Sequence, residues 1–475
     1  MKTLNIKTVN FIRNFSYTLS SNLITMLIST IVILLVPKLI GVEAYGYWQI
    51  YLFYSAYVGF LHFGWNDGIY LRYGGQDYDK LDKRVFFSQF WLLTLIQIVF
   101  ALLLILISYF TLQDNNRLII IKLTAVCMVL VNTRLMLIYL LQITNRVKEY
   151  AQIILMEKII YCVLILILLL IGVKEFQFLI ISDILGKFIA LLYAIYCCRT
   201  IVINKISVLK FDIYETFKNI SVGIKLMFAN IASMFIIGTV RLGIERNWDV
   251  VTFGKLSLVL NISNLLMIFI NAAGVIMFPV LKRINENRLP DIYIMTRTLL
   301  MVSLLSLLVL YYPLYILLTA WLPAYNDSLI YMSILFPMCV FEGKMALLIN
   351  TYYKALRKEK IMLIINLVIV ALSIVFTIIS TLILKNLTLA ILSIIILLAL
   401  RSIAFEFILS KIMKISLTKD ICLELIIISS FIFISWFFNS VNGLLLYLIV
   451  IFIYIFSTKK DVGLSLNNVK KIMRD

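Results

Sequence analysis

A chain of 475 residues, 63% hydrophobic and only 14% charged, with a mean hydropathy of +1.03, cannot be a water-soluble globule. Its formal charge of +19 would suggest a nucleic-acid surface in a soluble protein. Here it reads as topological charge facing anionic lipid, on a polytopic membrane protein.

Windows of about 20 apolar residues, enough to cross a hydrocarbon core of about 30 Å as a helix, recur along nearly the whole chain. In chain order about fourteen transmembrane helices are predicted, over residues 12–36, 45–65, 86–110, 118–142, 152–173, 178–198, 217–240, 251–280, 293–320, 328–352, 361–384, 387–410, 421–438 and 443–457. A membrane β-barrel is excluded, because runs such as Val163–Leu170 and Ile394–Leu400 are apolar at every position instead of alternating with period two. The first window follows Lys2 and Lys7 but stays apolar to Val36 without a small-residue cleavage site, so it is read as a retained helix.

Lys and Arg number about 28 at the two ends and every second connection, and about 6 in the intervening connections. The basic set includes Arg72, Lys80, Lys83 and Arg84, then Arg146 and Lys148, and later Lys354, Arg357, Lys358 and Lys360. Basic residues are retained on the cytoplasmic side, so both termini are expected there.

Residue types repeat at a nearly constant offset of about 208 to 210 positions. Asn22 corresponds to Asn230, Gly46 to Gly254, Arg72 to Lys282, Arg134 to Lys344, and Lys148-Glu149 to Lys358-Glu359. The expected architecture is all-α, with two pseudo-symmetric six-helix lobes plus two C-terminal helices. The lobes take residues 1–198 and 217–410, joined by a cytoplasmic loop over 199–216, and residues 411–475 form the last two helices and a basic tail.

Arg134, Lys225, Lys344 and Arg401 lie mid-window with no acidic residue placed to neutralise each of them, and a charge at such a depth ordinarily faces a watery cavity or an anionic ligand. A cationic lumen is therefore expected. Polar residues three or four apart share a helical face: Asn14, Thr18, Ser21, Thr25 and Ser29 in the first window, near Asn22, and Ser257, Asn261, Asn264 and Asn271 in the eighth. Such a stripe either lines a cavity or lets helices pack closely. Other charges have cheaper readings. Asp183 and Lys187 are four apart and expected to pair. Lys122, Lys255 and Arg297 are expected to snorkel toward headgroups. Arg401 is left between a local pair with Glu406 and partners on other helices, while Glu342 and Lys344 point about 200° apart.

Cys127, Cys162, Cys197, Cys198, Cys339 and Cys422 lack metal-site spacing and read as buried free thiols, so no metal and no cofactor are expected. His62, the single histidine, reads as an interface side chain, with a proton relay as the alternative. No Gly-x-x-x-x-Gly-Lys-Ser/Thr run is present, so no nucleotide is an expected partner, and with the positive charge read as facing lipid neither is nucleic acid.

Three stretches stand out: Trp248-Asp249-Val250-Val251-Thr252-Phe253-Gly254-Lys255-Leu256-Ser257, Asn66-Asp67-Gly68 followed by Tyr70-Leu71-Arg72-Tyr73-Gly74-Gly75, and Leu141-Gln142-Ile143-Thr144-Asn145-Arg146-Val147-Lys148-Glu149-Tyr150. They resemble the Wzx-type polysaccharide or O-antigen flippases of the multidrug/oligosaccharidyl-lipid/polysaccharide exporter superfamily. The resemblance implies two lobes that alternate between inward and outward openings in a bacterial cytoplasmic membrane. It implies a non-enzymatic carrier that moves a polyprenyl-pyrophosphate-linked oligosaccharide outward for O-antigen, capsule or exopolysaccharide, alongside a polymerase and chain-length machinery. The cationic lumen it implies is carried onto Arg134, Lys225 and Lys344, with no catalytic residue. Coupling to protons or sodium would run through His62, Asp67 or Glu342. The rival readings are a polysaccharide polymerase or ligase and a drug or metabolite exporter. A short connection around Arg241–Asp249 would favour the carrier over the enzyme.

Overall fold

The computed structural model describes residues 6–205, 212–281 and 289–464, with side chains described from residue 23 onward and, within 250–281, at 250–265 and 267. Among the described residues there is no strand. The chain divides into two compact units, Met1–Ile231 and Ala232–Asp475. The first holds α1 (Ile6–Ile40), α2 (Val42–Ser55), α3 (Trp65–Tyr73), α4 (Lys83–Thr111), α5 (Asn115–Ile143), α6 (Val147–Ile171), α7 (Phe176–Cys197), α8 (Arg199–Val202) and the start of α9 (Ile213–Asn247). The second holds the rest of α9, then α10 (Val250–Leu281), α11 (Leu289–Leu307), α12 (Tyr311–Trp321), α13 (Asn326–Leu329), α14 (Met332–Leu335), α15 (Met338–Lys344), α16 (Asn350–Ala355), α17 (Glu359–Thr377), α18 (Leu387–Met413), α19 (Thr418–Phe437) and α20 (Val441–Ser457).

Eleven helical stretches among the described residues are long and apolar enough to span a membrane, and two shorter apolar helices, Val250–Leu265 and Val441–Ser457, add to them. The chain is a multi-pass membrane protein. The expected window at 45–65 is not one helix. It stops at Ser55, turns through a 3₁₀ segment at Val58–His62 and restarts at Trp65 after two left-handed residues, Phe63 (φ 53°) and Gly64 (φ 79°).

A broken helix frees backbone carbonyls, which are costly in a membrane unless other groups bond them. Here Asn132 donates to the Val58 carbonyl at 2.9 Å and Gln97 to the Leu61 carbonyl at 3.0 Å, while the Gly64 N–H donates to His62 Nδ1 at 3.0 Å. Asn132 also donates to Gln97 Oε1 at 2.7 Å, so one buried amide chain on α4 and α5 satisfies the break.

Past the break, α3 crosses the first turns of α9 at backbone contact. A Cβ at Gly68 would lie 1.9 Å from the Asn219 carbonyl oxygen, and one at Gly223 would lie 1.9 Å from that of Gly64. Polar bonds tie the same crossing. Arg72 donates to Glu215 and Asn219, the Tyr73 hydroxyl to Glu215 at 2.6 Å, and Gln89 to the Thr216 hydroxyl at 3.0 Å. These contacts place the first half of α9 in the first unit, and the division between units falls inside that helix.

In the second unit the span Met332–Ala355 is the core. Buried positions make up 89% of its apolar window, against 22–50% for the other spans. Lys344 sits on it, immediately before a π-helical turn at Met345–Ile349, a distortion often retained where a side chain must be re-aimed.

Gly68→Ala and Gly223→Ala are each expected to cost about 1–3 kcal/mol through overpacking, whereas Gly59→Ala, whose Cβ would meet nothing within 4 Å, should be neutral. Thermal unfolding of the detergent-solubilised protein followed by tryptophan fluorescence measures this. Equal midpoints for all three variants would contradict the close crossing.

Candidate functional site

In the first unit, Arg134 on α5 is 8% exposed and donates through Nη1 to Glu157 Oε2 on α6. Lys158 Nζ lies 3.7 Å from the same carboxylate. On α7, Lys187 pairs with Asp183 as its four-residue spacing predicts, and Asp183 also accepts from the Tyr51 hydroxyl at 2.6 Å. The two carboxylates are brought together because Gly186 lets α7 approach α6, where an added Cβ would sit 2.9 Å from the Glu157 carbonyl oxygen. Three cations thus meet two carboxylates, and the surplus is positive. The Arg134 Nε is buried without a hydrogen-bond partner.

In the second unit the charges balance. Lys344, 1% exposed, donates to Glu406 Oε2 at 2.8 Å and to Glu424 Oε1 at 2.7 Å. Arg297 donates through Nε to Glu406 Oε1 at 2.7 Å and through Nη2 to Glu424 Oε2 at 3.0 Å, and the Tyr293 hydroxyl adds a bond to Glu406 at 3.0 Å. The four groups come from α11, α15, α18 and α19. Nearby in sequence, Arg401 donates to Glu342 at 2.8 Å, Ser233 at 2.8 Å and Asn366 at 3.0 Å, joining α9, α15, α17 and α18.

Two expectations change accordingly, and the alternative left open for Arg401 is decided. Arg134, Lys344 and Arg401 do have acidic partners, each on a different helix. Arg297 does not snorkel but is buried in the four-charge cluster. Arg401 pairs with Glu342 and not with Glu406. Lys225 differs from these three: it is exposed, and among the described residues it has no ion pair. Lys255 reaches Asp327 at 2.6 Å, and Lys122 is exposed.

The polar candidates separate too. Asn230 and Asn264 are exposed, Asn261 is half-buried, and Thr25 is half-buried with its Oγ1 unpartnered. Ser257 is buried and accepts from Arg241 Nη2 at 3.0 Å. The side chains of Asn14, Thr18, Ser21, Asn22 and Asn271 lie outside the described residues. His62 and Asp67 are buried, with Nε2 3.7 Å from the carboxylate, and the imidazole closes the α2–α3 break. Arg241 lies within α9, and only Trp248 and Asp249 connect α9 to α10. Asp249 accepts from the Thr252 N–H at 2.8 Å, and hydrogen bonds from Thr252 hold its carboxyl below the ordinary value.

Glu424 was the partner that sequence reading missed. Its one available signal was a lone carboxylate in the apolar run Ile421–Ile428, the mirror image of the lone bases used to find Lys344. Removing one partner of a buried pair leaves a stranded charge, at about 3–5 kcal/mol. Glu424→Ala and Lys344→Ala should each lose that much stability, and the double variant less than the sum of the two. Unfolding midpoints in a double-mutant cycle measure the coupling, and strict additivity would contradict it.

The family model described as "Polysaccharide biosynthesis protein" matches residues 11–285. No curated protein sequence matches the chain. Among solved structures, the lipid II flippase MurJ in an inward closed conformation aligns with a TM-score of 0.63 at 15% identity, over 93% of this chain and 99% of that one. A multidrug resistance MATE family transporter of the MOP superfamily, inward-facing, aligns at 0.60 and 11% identity over 82% and 96%. A MATE protein in the straight conformation aligns at 0.52 and 12% identity over 85% and 96%. These likenesses establish the fold.

Proposed function

The chain belongs to the polysaccharide biosynthesis protein family and carries the fold of MOP-superfamily transporters, and from that premise we propose that it flips a polyprenyl-pyrophosphate-linked oligosaccharide from the inner to the outer leaflet of a bacterial cytoplasmic membrane. A glycan on a lipid pyrophosphate cannot cross hydrocarbon unaided, because its hydroxyls would lose their hydrogen bonds and its anion its hydration. A path that offers polar and cationic side chains offsets both costs while the lipid tail stays in the bilayer.

The observation that carries the reading is the distribution of charge across the helices. Lys344, Arg297 and Arg401 are matched by carboxylates, whereas the first unit keeps a positive surplus around Arg134 and an exposed Lys225 without an ion pair among the described residues. Under this proposal Lys225 and Asn230, five residues apart on α9, meet the anionic head and the sugar. Arg134 adds positive potential, and Lys344 and Arg401 hold the second unit's helices in place. Thr25 serves as a further sugar contact in the first unit, and in the second Ser257 orients Arg241.

Moving about two negative charges outward across an inside-negative membrane is favoured by roughly 2.3 kcal/mol per charge per 100 mV. Membrane potential can therefore drive the step, with no required role for ion transfer through His62, Asp67 or Glu342. The two-residue link between α9 and α10 leaves no platform there for an extracytoplasmic polymerase or ligase. An exporter of organic cations would need acidic groups in its path, and the surplus here is basic.

The deciding experiment measures the sidedness of lipid-linked oligosaccharide in cells lacking the protein, with and without its restoration. Accumulation on the inner leaflet that restoration relieves is expected. Normal translocation with single repeat units accumulating outside would overturn the reading in favour of polymerisation or ligation. A lost charge-assisted contact is worth about 1.5–3 kcal/mol, so Lys225→Ala should weaken half-saturation of flipping roughly tenfold or more at unchanged protein level. Unchanged flux in that variant would remove Lys225 from the path.

A further inference from the structure

The first turns of α9, residues 213–223, lie across α3 with little apolar burial. At the crossing the contact is backbone on backbone, through Gly64, Gly68 and Gly223, and glycine brings no side chain to bury. Toward α4 these turns face a gap of about 400 Å³, with Leu92, Ile96 and Phe100 on one wall and Ile213, Phe217 and Ile220 on the other. Ile220 packs against the first unit's core, but Ile213 and Phe217 are 63% and 66% exposed. Lipid tails are as apolar as leucine, so such side chains gain little by staying against the protein.

What holds these turns is polar, and it lies at the edge of water. Arg72 donates to Glu215 at 2.7 Å and to Asn219, the Tyr73 hydroxyl to Glu215 at 2.6 Å, and Gln89 to the Thr216 hydroxyl at 3.0 Å. The side chains of Arg72 and Glu215 are 17% and 16% exposed, against 1% and 0% for Lys344 and Glu406. Water can take over the bonds of the first pair, as it cannot for the second. The groups left behind also keep partners when α9 moves away. Asn132 and Gln97 bond the carbonyls of the α2–α3 break, and Gln89 Oε1 retains the Trp65 indole N–H at 2.6 Å.

We propose that residues 213–223 form a releasable latch on α3, with Arg72 and Glu215 as its catch and the glycine crossing as its seat. Seated, the latch covers the backbone of Gly64 and Asp67, against which Gly223 lies. Released, it admits water to the α2–α3 break from the basic side of the membrane without unfolding the unit. The latch is a property of the chain itself and stands whether or not a lipid-linked glycan is the cargo.

Thr216 is 7% exposed and turned onto Gln89, so a cysteine there reports release. Full-length Thr216→Cys in lipid nanodiscs is treated with a membrane-impermeant maleimide, and modification at position 216 is read by peptide mass spectrometry beside the native cysteines. The rate is expected to rise several-fold between about 0.01 M and about 1 M salt, as the screening length falls from about 30 Å to about 3 Å. Adding Arg72→Glu or Glu215→Arg alone should raise it roughly tenfold or more, and adding both should return it to the parent rate. A parent rate indifferent to salt would make the crossing permanent and overturn the latch. A charge-swapped chain as fast as the single reversals would overturn the catch. Hydrogen exchange of the unsubstituted chain decides the matter even if the cysteine variant fails to fold. Amides of residues 213–223 should exchange faster with salt while α5 stays protected, and salt-independent protection of both would refute the proposal.

Discussion

An ammonium or guanidinium group held inside a helix bundle bounded by hydrocarbon must find a carboxylate, an anionic ligand or water. In this protein the carboxylates come from elsewhere in the chain, and their placement decides which helices pack together. Glu406 and Glu424 draw α18 and α19 onto Lys344 and Arg297, Glu342 draws α15 onto Arg401, and Glu157 joins α6 to α5. Apolar contact alone discriminates weakly between helices in a lipid solvent, since lipid tails are as apolar as leucine. Buried ion pairs add the direction that packing lacks, because a helix placed wrongly would strand a charge.

The same constraint separates charges that build the protein from those available to a ligand. Lys344 is enclosed by two carboxylates, whereas its sequence counterpart Arg134 has one carboxylate shared with Lys158 and a buried Nε without a partner. The two positions are alike as residue types and as places in the helix order, yet differ in how far their charge is spent. Residues that match in type at a constant offset therefore need not do the same work.

The helix windows were legible in the sequence because hydrocarbon thickness imposes a length, and that length is written in consecutive residues. The window at 45–65 was misread for the same reason: its composition is apolar throughout, and the break depends on Asn132 and Gln97, far along the chain. Pairing followed the same division. Asp183–Lys187, one helical turn apart, could be read directly. Glu157 lies 23 residues from Arg134, and Glu406 and Glu424 lie 62 and 80 residues from Lys344, separations at which sequence carries no angular information. A lone acid in an apolar run, as Glu424 is, carries the same signal as a lone base.

The position of Glu424 bears on how the protein is made. Synthesis and insertion run from the N-terminus, and Arg297, Lys344 and Glu406 all precede α19. Until the chain has grown past residue 424, two cations share one carboxylate, and the core span of the second unit is electrically unfinished. The arrival of α19 thus completes the cluster. A chain cut short after α18 would present the membrane with an incomplete charge cluster, two buried cations against the single carboxylate of Glu406.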